Sequence, residues 1–412
     1  MSIDPPNDPS DASAPSTPSD ASASSTPAAA VAAAPSVVSA AAAAAASSGA
    51  FTTSSIASVV DVPPGFVRRL VSRQNFWSLA VLLLLVVYNL VTNPHFFSIT
   101  IQDGHLYGSI IDILNRAAPL MIVAMGLTLV IATHGIDISV GAVVAISGAV
   151  AAAMIGGDGT EDVASNPMPL VIAGALAISL LVGMWNGVLV SLFGMQPIIA
   201  TLILLGTGRG VAQLITDGQI LTIYYSPYFV IGNGFLLGIP FSLFIVAVVA
   251  TVIVLLTRKT ALGLFIEAIG INPVASRLAG VRARTITFAV YAVCGLCAGI
   301  AGLIVSSNVK SADGNNAGLL VELDAILAVV LGGTALSGGR FFLLGSVLGA
   351  LIIQTLTTTI YAAGVAPEVT LVVKGLVVFV VSILQSDKLK ALVAAAPKRR
   401  TQAPSPTSRG AR

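Results

Sequence analysis

The sequence predicts an all-α, polytopic membrane protein with about ten transmembrane helices and both termini in the cytoplasm. Three observations carry that prediction. Charged residues make up 9% of the 412-residue chain and hydrophobic ones 56%, whereas a soluble domain carries about 25% charged residues to cover its surface. The apolar residues gather in long runs, most of them close to the roughly 20 residues a helix needs to cross a bilayer core of about 30 Å. Fifteen of the 20 Lys and Arg fall in three segments separated by even numbers of those runs. The net charge of +2 leaves no electrostatic footprint for nucleic acid. Two Cys make no disulfide framework. Aromatics at 6% and 39 glycines suit packed helices better than an outer-membrane barrel.

Residues 1–65 are a different material, rich in Ala, Ser, Pro, Thr and Asp and without Lys or Arg. A secretory signal has a basic start and a compact apolar core. Here Asp4, Asp8, Asp11 and Asp20 make the start acidic, and Pro35 interrupts the alanine run. The segment reads as a disordered cytoplasmic tail, with a cleaved signal or an extra span as alternatives. Residues 389–412 read as a second disordered tail, basic and rich in Pro and Ser. The transmembrane domain is expected over 66–388.

Ten apolar runs lie between the tails, at about Phe76–Val91, Ala117–Thr133, Ile138–Ile155, Leu170–Phe193, Pro197–Ile215, Phe235–Leu256, Ile286–Val305, Leu323–Leu336, Phe342–Ala363 and Val369–Leu384. The eighth is short. The second and third are joined by His134-Gly135-Ile136-Asp137, so they are two helices or one broken element. Ten spans place Arg68, Arg69 and Arg73, the five basic residues of 257–284, and the C-terminal cluster from Lys388 on one side. The positive-inside rule makes that side cytoplasmic. An odd count would split the first and last clusters. Glycine pairs four apart (Gly206–Gly210, Gly295–Gly299, Gly345–Gly349) let helix backbones approach closely.

Polar groups in lipid are costly, so each one is a question. Asp137 lies in Gly135-Ile-Asp-Ile-Ser-Val-Gly141. It either caps the following helix together with Ser139 or stands at a break between half-helices, where free backbone groups face a sugar hydroxyl. Asn186 lies deep in the fourth run; Gln196 and Thr201 open the fifth, and Arg209 follows in it, either paired or beside an aqueous path. Asn308 begins a polar outward loop that leads to Glu322 and Asp324 at the head of the short eighth run. Two residues apart on a helix, these carboxylates do not share a face. They make a poor acid–base pair and a plausible helix cap. Lys374 snorkels or pairs with a carboxylate. Cys294-Gly-Leu-Cys297 sits mid-run without the strand context of a redox motif and reads as packing. His95, His105 and His134 are too scattered for a metal site. No catalytic or metal-binding residue is expected.

The inside loop 257–284 mixes apolar and charged residues in short amphipathic pieces broken at Gly270 and Pro273. It is a docking knob for a partner or a solvated linker on the membrane surface. The chain has no G-x-x-x-x-G-K-[ST] phosphate loop, so ATP energy by that route needs another subunit.

Four blocks, in order along residues 68–388, resemble the permease subunits of ribose-type ABC sugar importers: Gly135–Gly141, Pro197-Ile-Ile-Ala-Thr-Leu202, Glu267-Ala-Ile-Gly270-x-Asn272-x-x-Ala275-x-x-x-Ala279-Gly280, and Glu322-Leu-Asp-Ala-Ile-Leu-Ala-Val-Val-Leu-Gly-Gly-Thr334. Gln102-Asp-Gly-x-Leu106, Ile111–Pro119, Gly208–Ile215 and Ala312–Gly318 look most like the galactofuranose-type members. The long N-terminal tail departs from the family's pattern. The resemblance implies an importer assembled from parts: a periplasmic sugar-binding protein, two permease chains (identical or paired with a similar second one) embedded in membrane lipid, and ATPase subunits that use ATP and Mg2+ and dock under the loop. It implies ATPase coupling by Glu267, Gly270, Asn272 and Gly280. Asp137, Ser139, Asn186, Gln196, Thr201, Asn308, Glu322 and Asp324 are the expected pathway residues. A secondary sugar carrier and a membrane-embedded enzyme are the alternatives. The first would show more paired intramembrane charges, and the second a clustered acidic or His site.

Overall fold

The computed structural model describes residues 76–385 except 93–95, 103, 157–161 and 365. The expected tails and the first and last basic clusters lie outside the described residues. The helices are α1 (Phe76–Thr92), α2 (Ser109–Ala132), α3 (Val140–Ile155), α4 (Met168–Ser191), α5 (Pro197–Ile215), α6 (Ser226–Asn233), α7 (Phe241–Lys259), α8 (Leu262–Ile271), α9 (Pro273–Leu278), α10 (Ala283–Val309), α11 (Val321–Leu331), α12 (Leu343–Ala362) and α13 (Pro367–Gln385). Six short strands, β1 (Thr100–Gln102), β2 (His105–Tyr107), β3 (Ile220–Thr222), β4 (Phe235–Leu236), β5 (Ile239–Pro240) and β6 (Ser311–Asp313), form three antiparallel pairs, β1–β2, β3–β6 and β4–β5.

Among the described residues, six helices are long and apolar enough to cross a membrane: α2, α4, α5, α7, α10 and α12. The shorter α1 and α3 are apolar too. Each expected run holds a helix, with three boundaries moved by five residues or more; α2 starts at Ser109, well before the expected Ala117. Residues 235–240 are the β4–β5 hairpin, turned by Leu237 and Gly238 at positive φ (53° and 81°), so α7 starts at Phe241 rather than Phe235. In the eighth run α11 stops at Leu331 rather than Leu336, where Gly333 takes a left-handed φ of 87° and ends it.

Two groups of loops define the ends of the bundle. At one end, Leu106 N–H donates to the Gly238 carbonyl (3.0 Å), Ser226 N–H to Asp162 Oδ1 (2.6 Å), and β3 pairs with β6. At the other, Gly339 N–H donates to the Ala132 carbonyl (2.9 Å), and His134 Nδ1 lies 2.7 Å from the Ser337 carbonyl.

The core gathers on α10, which packs against α4, α2 and α3. Glycine makes the α4–α10 contact possible. A Cβ on Gly295 would lie 2.6 Å from the Gly183 Cα, and one on Gly299 2.5 Å from the Ser179 Cβ. The same device joins α11 to α12, where a Cβ on Gly345 or Gly349 would collide with the Gly332 or Ala328 carbonyl. The outer faces of α1, α4 and α7 present exposed apolar residues such as Leu83, Leu84, Leu181, Trp185, Val248 and Val252, as lipid-facing helices do.

Candidate functional site

Seven residues, Thr133 to Ser139, separate α2 from α3, and this break organises the polar interior. The α2 helix closes with His134 at φ 66° while Gly135 N–H donates to the Val130 carbonyl (3.0 Å). The chain then turns through Asp137. Its Oδ1 accepts from the Ser139 N–H (3.0 Å) and the Ser139 hydroxyl (2.6 Å). The amide of Asn186 on α4 donates to Ser139 Oγ (2.8 Å) and reaches toward Asp137 Oδ1 (3.5 Å). Thr201 on α5 donates to the Pro197 carbonyl (3.0 Å) and reaches the Ile136 carbonyl (3.4 Å). Asp137, Ser139, Asn186 and Thr201 are 2%, 1%, 0% and 0% exposed. They form one knot, sealed within the chain, that holds the break between three helices. The bonding geometry is that of an Asx turn braced by a neighbouring helix.

A second break faces the first. After β6 the chain runs back into the bundle, and α11 starts with Glu322 in its first turn. The Glu322 carboxylate is buried and lies against Gly141, in the first turn of α3, where a Cβ would collide with Glu322 Oε2. Glu322 Oε2 has no hydrogen-bond partner among the described residues. The Arg209 guanidinium of α5 donates to the carbonyls of Ala317 and, at 3.4 Å, Asn315; Gln213 donates to Asn315 Oδ1 (2.7 Å). Arg209 is therefore bound to backbone carbonyls and pins the returning segment to α5. Asp313, outside the membrane segments, is nudged up by slight burial. The Asn316 side-chain amide and the N–H groups of Asn315 and Asn316 outweigh that, with help from Arg209, and hold its carboxyl below the ordinary value.

The remaining expected pathway residues lie elsewhere. Gln196 is exposed at the start of α5. Asn308 is near the end of α10 beside Gly232 of α6, and its carbonyl accepts from Asn233 Nδ2 (3.1 Å). Asp324 pairs with Lys374 of α13 at 2.8 Å, the one ion pair among the described residues, so Lys374 takes a carboxylate rather than snorkelling. Thr207 and Gln213 also lie on α5, Thr207 exposed and Gln213 half-buried, and the outer face of that helix exposes Ile203, Val211 and Leu214. Gly206 and Gly210 of the same helix are open: a Cβ on either meets nothing within 4 Å.

The loop between α7 and α10 is a helical hairpin. Gly270 does not break it: α8 runs to Ile271, and the chain turns at Asn272. Asn272 Oδ1 accepts from the N–H groups of Val274 and Ala275, both at 3.0 Å, and so caps α9. Gly270 packs so tightly on the end of α2 that a Cβ would collide with the Ala132 carbonyl. Gly280, at φ 84°, turns the chain from α9 toward α10. Thus Gly270, Asn272 and Gly280 shape and seat the hairpin. Glu267 lies on α8, half-buried, while Leu264, Ile271, Val274 and Leu278 are exposed, Leu278 at 86%. Among the described residues no group of three or more His, Cys, Asp or Glu could hold a metal ion.

Comparison with known proteins agrees with this architecture. Residues 109–382 match a family model described as branched-chain amino acid transport system / permease component. The galactofuranose transporter permease protein YtfT of Escherichia coli K12 is 53% identical over 314 residues, covering 76% of this chain and 90% of that protein. The fructose import permease protein FruF of Bifidobacterium longum is 40% identical, covering 81% of this chain and 94% of that protein. The ribose import permease protein RbsC of Escherichia coli K12 is 35% identical, covering 76% and 93%. No solved structure matches. This chain, with its broken helices inside the bundle and its capped hairpin beneath, therefore belongs to that permease family, as a multi-pass protein of the cytoplasmic membrane related to the galactofuranose- and ribose-type permeases.

Proposed function

We propose that this chain is the membrane subunit of an ATP-driven importer that moves a monosaccharide, galactofuranose or a similar pentose or hexose, into the cytoplasm. Ten membrane segments with both termini inside put the α8–α9 hairpin on the cytoplasmic face and the β-strand loops outside. A periplasmic binding protein delivers the sugar to the outer loops. A second permease chain, identical or similar, packs against the open face of α5 and closes the path between them. A separate ATPase, using ATP and Mg2+, docks under the hairpin.

The observation that carries this reading is the hairpin. A surface of α9 that exposes Val274 and Leu278, rigidly capped by Asn272 and seated on α2 through Gly270, is built to transmit motion to the bundle from a bound partner. The absence of a phosphate-loop motif from the sequence leaves nucleotide chemistry to that partner. The relatives' sugar-permease names support the cargo class. The sealed knot at Asp137 supports a structural role for the first break. Polar contact with cargo then falls to exposed groups on α5 such as Gln196 and Thr207. A neutral sugar needs only such hydrogen-bonding groups along the path, because the binding protein selects it.

The test is purification of the tagged full-length chain from its native membrane, with mass spectrometry of what accompanies it. A P-loop ATPase is the expected companion, and a chain that comes alone contradicts the reading. In the reconstituted complex, Glu267→Ala should lower sugar-stimulated ATP hydrolysis about tenfold, within the usual range of coupling energies, while the permease stays folded in the membrane. Unchanged transport would remove Glu267 from the docking surface.

A further inference from the structure

The junction between the hairpin and α10 carries a second feature. Arg277 at the end of α9 and Arg282 and Arg284 at the start of α10 are exposed and, with Thr285, line one open cleft of about 340 Å3. No carboxylate lines it. None of the three arginines takes part in an ion pair among the described residues. A concave surface of three guanidinium groups and a hydroxyl, with no acidic partner, matches an oxygen-rich anion of the phosphate type.

Depth decides which phosphate. α10 has 27 residues, a length of about 40 Å at 1.5 Å per residue, against a hydrocarbon core of about 30 Å. With the hairpin on the cytoplasmic face, the Arg-bearing first turn is the end of α10 that meets the inner-leaflet headgroups, and burial of its side chains in the bundle begins at Ala283 and Ile286. The α9 surface that exposes Val274 and Leu278 is separate from this cleft. Resting on the cytoplasmic placement of the hairpin given above, we propose that the Arg277–Arg282–Arg284 cleft binds the headgroup of an anionic phospholipid of the inner leaflet. The headgroup would bridge α9 to α10 and brace the hairpin against the bundle. Anionic lipid then sets how firmly partner motion is passed to the helices.

The test uses the full-length purified chain without partners, titrated with phosphatidylglycerol or phosphatidylcholine, with bound lipid counted by native mass spectrometry. The wild type should prefer phosphatidylglycerol. The double variant Arg282→Gln/Arg284→Gln should bind it about 25-fold more weakly, each arginine near an anionic surface being worth roughly fivefold. Arg340→Gln, an exposed arginine at the same end of the bundle, should bind like the wild type. Equal affinity in the double variant, once size-exclusion chromatography shows it folded, overturns the proposal. Displacement of phosphatidylglycerol by millimolar inorganic phosphate would assign the cleft to free phosphate and overturn the lipid. Displacement by the purified partner ATPase would assign it to a protein contact and overturn it too. Because the titration needs no ATPase, it stands apart from the pull-down: failure there leaves this result readable.

Discussion

Helices α5 and α10 carry the same signal, a glycine pair four residues apart in an apolar run, and the structure treats them in opposite ways. Gly295 and Gly299 of α10 meet the backbone and side chains of α4 within 3 Å of where a Cβ would stand, whereas Gly206 and Gly210 of α5 meet nothing within 4 Å. α10 is the centre of the bundle, and α5 packs mainly on α3, leaving much of its surface open. A close-approach motif with no partner among the described residues is where the proposed second permease chain would pack. In lipid, where there is little hydrophobic gain from joining helices, packing at small residues is a main source of association. The contrast separates a helix that holds the subunit together from one that is free to meet a second copy.

The largest effect expected from breaking this comparison is at Gly295. Gly295→Leu places a side chain where the Gly183 backbone already sits 2.6 Å from the Cβ position. Overpacking costs about 1–3 kcal/mol where side chains can shift, and here backbone must move. The chain should fail to appear as a monodisperse species in mild detergent; a normal elution profile would show that α4 and α10 do not touch as described.

Asn186→Ala sharpens the same contrast at lower cost, since Asn186 links α4 to the α2–α3 break. The substitution removes the donor to Ser139 Oγ at 2.8 Å and leaves buried oxygens less satisfied, a loss of about 1–3 kcal/mol. Thermal unfolding in detergent should shift downward while sugar selectivity is retained. A change in selectivity with unchanged stability would instead put Asn186 in contact with cargo.

Gly210→Leu is expected to leave the isolated subunit's stability within about 0.5 kcal/mol, as surface substitutions do, because the site is open. Its effect belongs to assembly. Cross-linking in membranes should show loss of the permease pair and of transport. Full transport with the pair intact would move the partner interface off α5.

Much of the fold was legible in the sequence because lipid imposes a simple rule: backbone must be satisfied within the segment, so apolar runs are helices. The runs could be read that way; the block Glu267–Gly280 stood out by its resemblance to a permease family, and the join between the second and third runs was open between two helices and one broken element. The site residues were less legible. Asp137 and Asn186 look alike as polar residues in apolar runs, and nothing local says whether they face a path or each other. In the sequence α5 reads as one more span, and only the empty space beside Gly206 and Gly210 reveals its outer face.

Composition and periodicity by themselves determined a polytopic helical protein, the location of its segments, and a structured loop without a nucleotide motif of its own, because these depend on solvent and on local backbone geometry. The tertiary structure alone decided that Asp137, Ser139 and Asn186 bond to one another, that Glu322 lies against Gly141, that Lys374 meets Asp324 fifty positions away, and that Gly270 seats the hairpin on α2. Apart from the local Asp137–Ser139 turn, those pairings join residues far apart in the chain, and which helix neighbours which is set by shape and small-residue contact, which no single segment encodes.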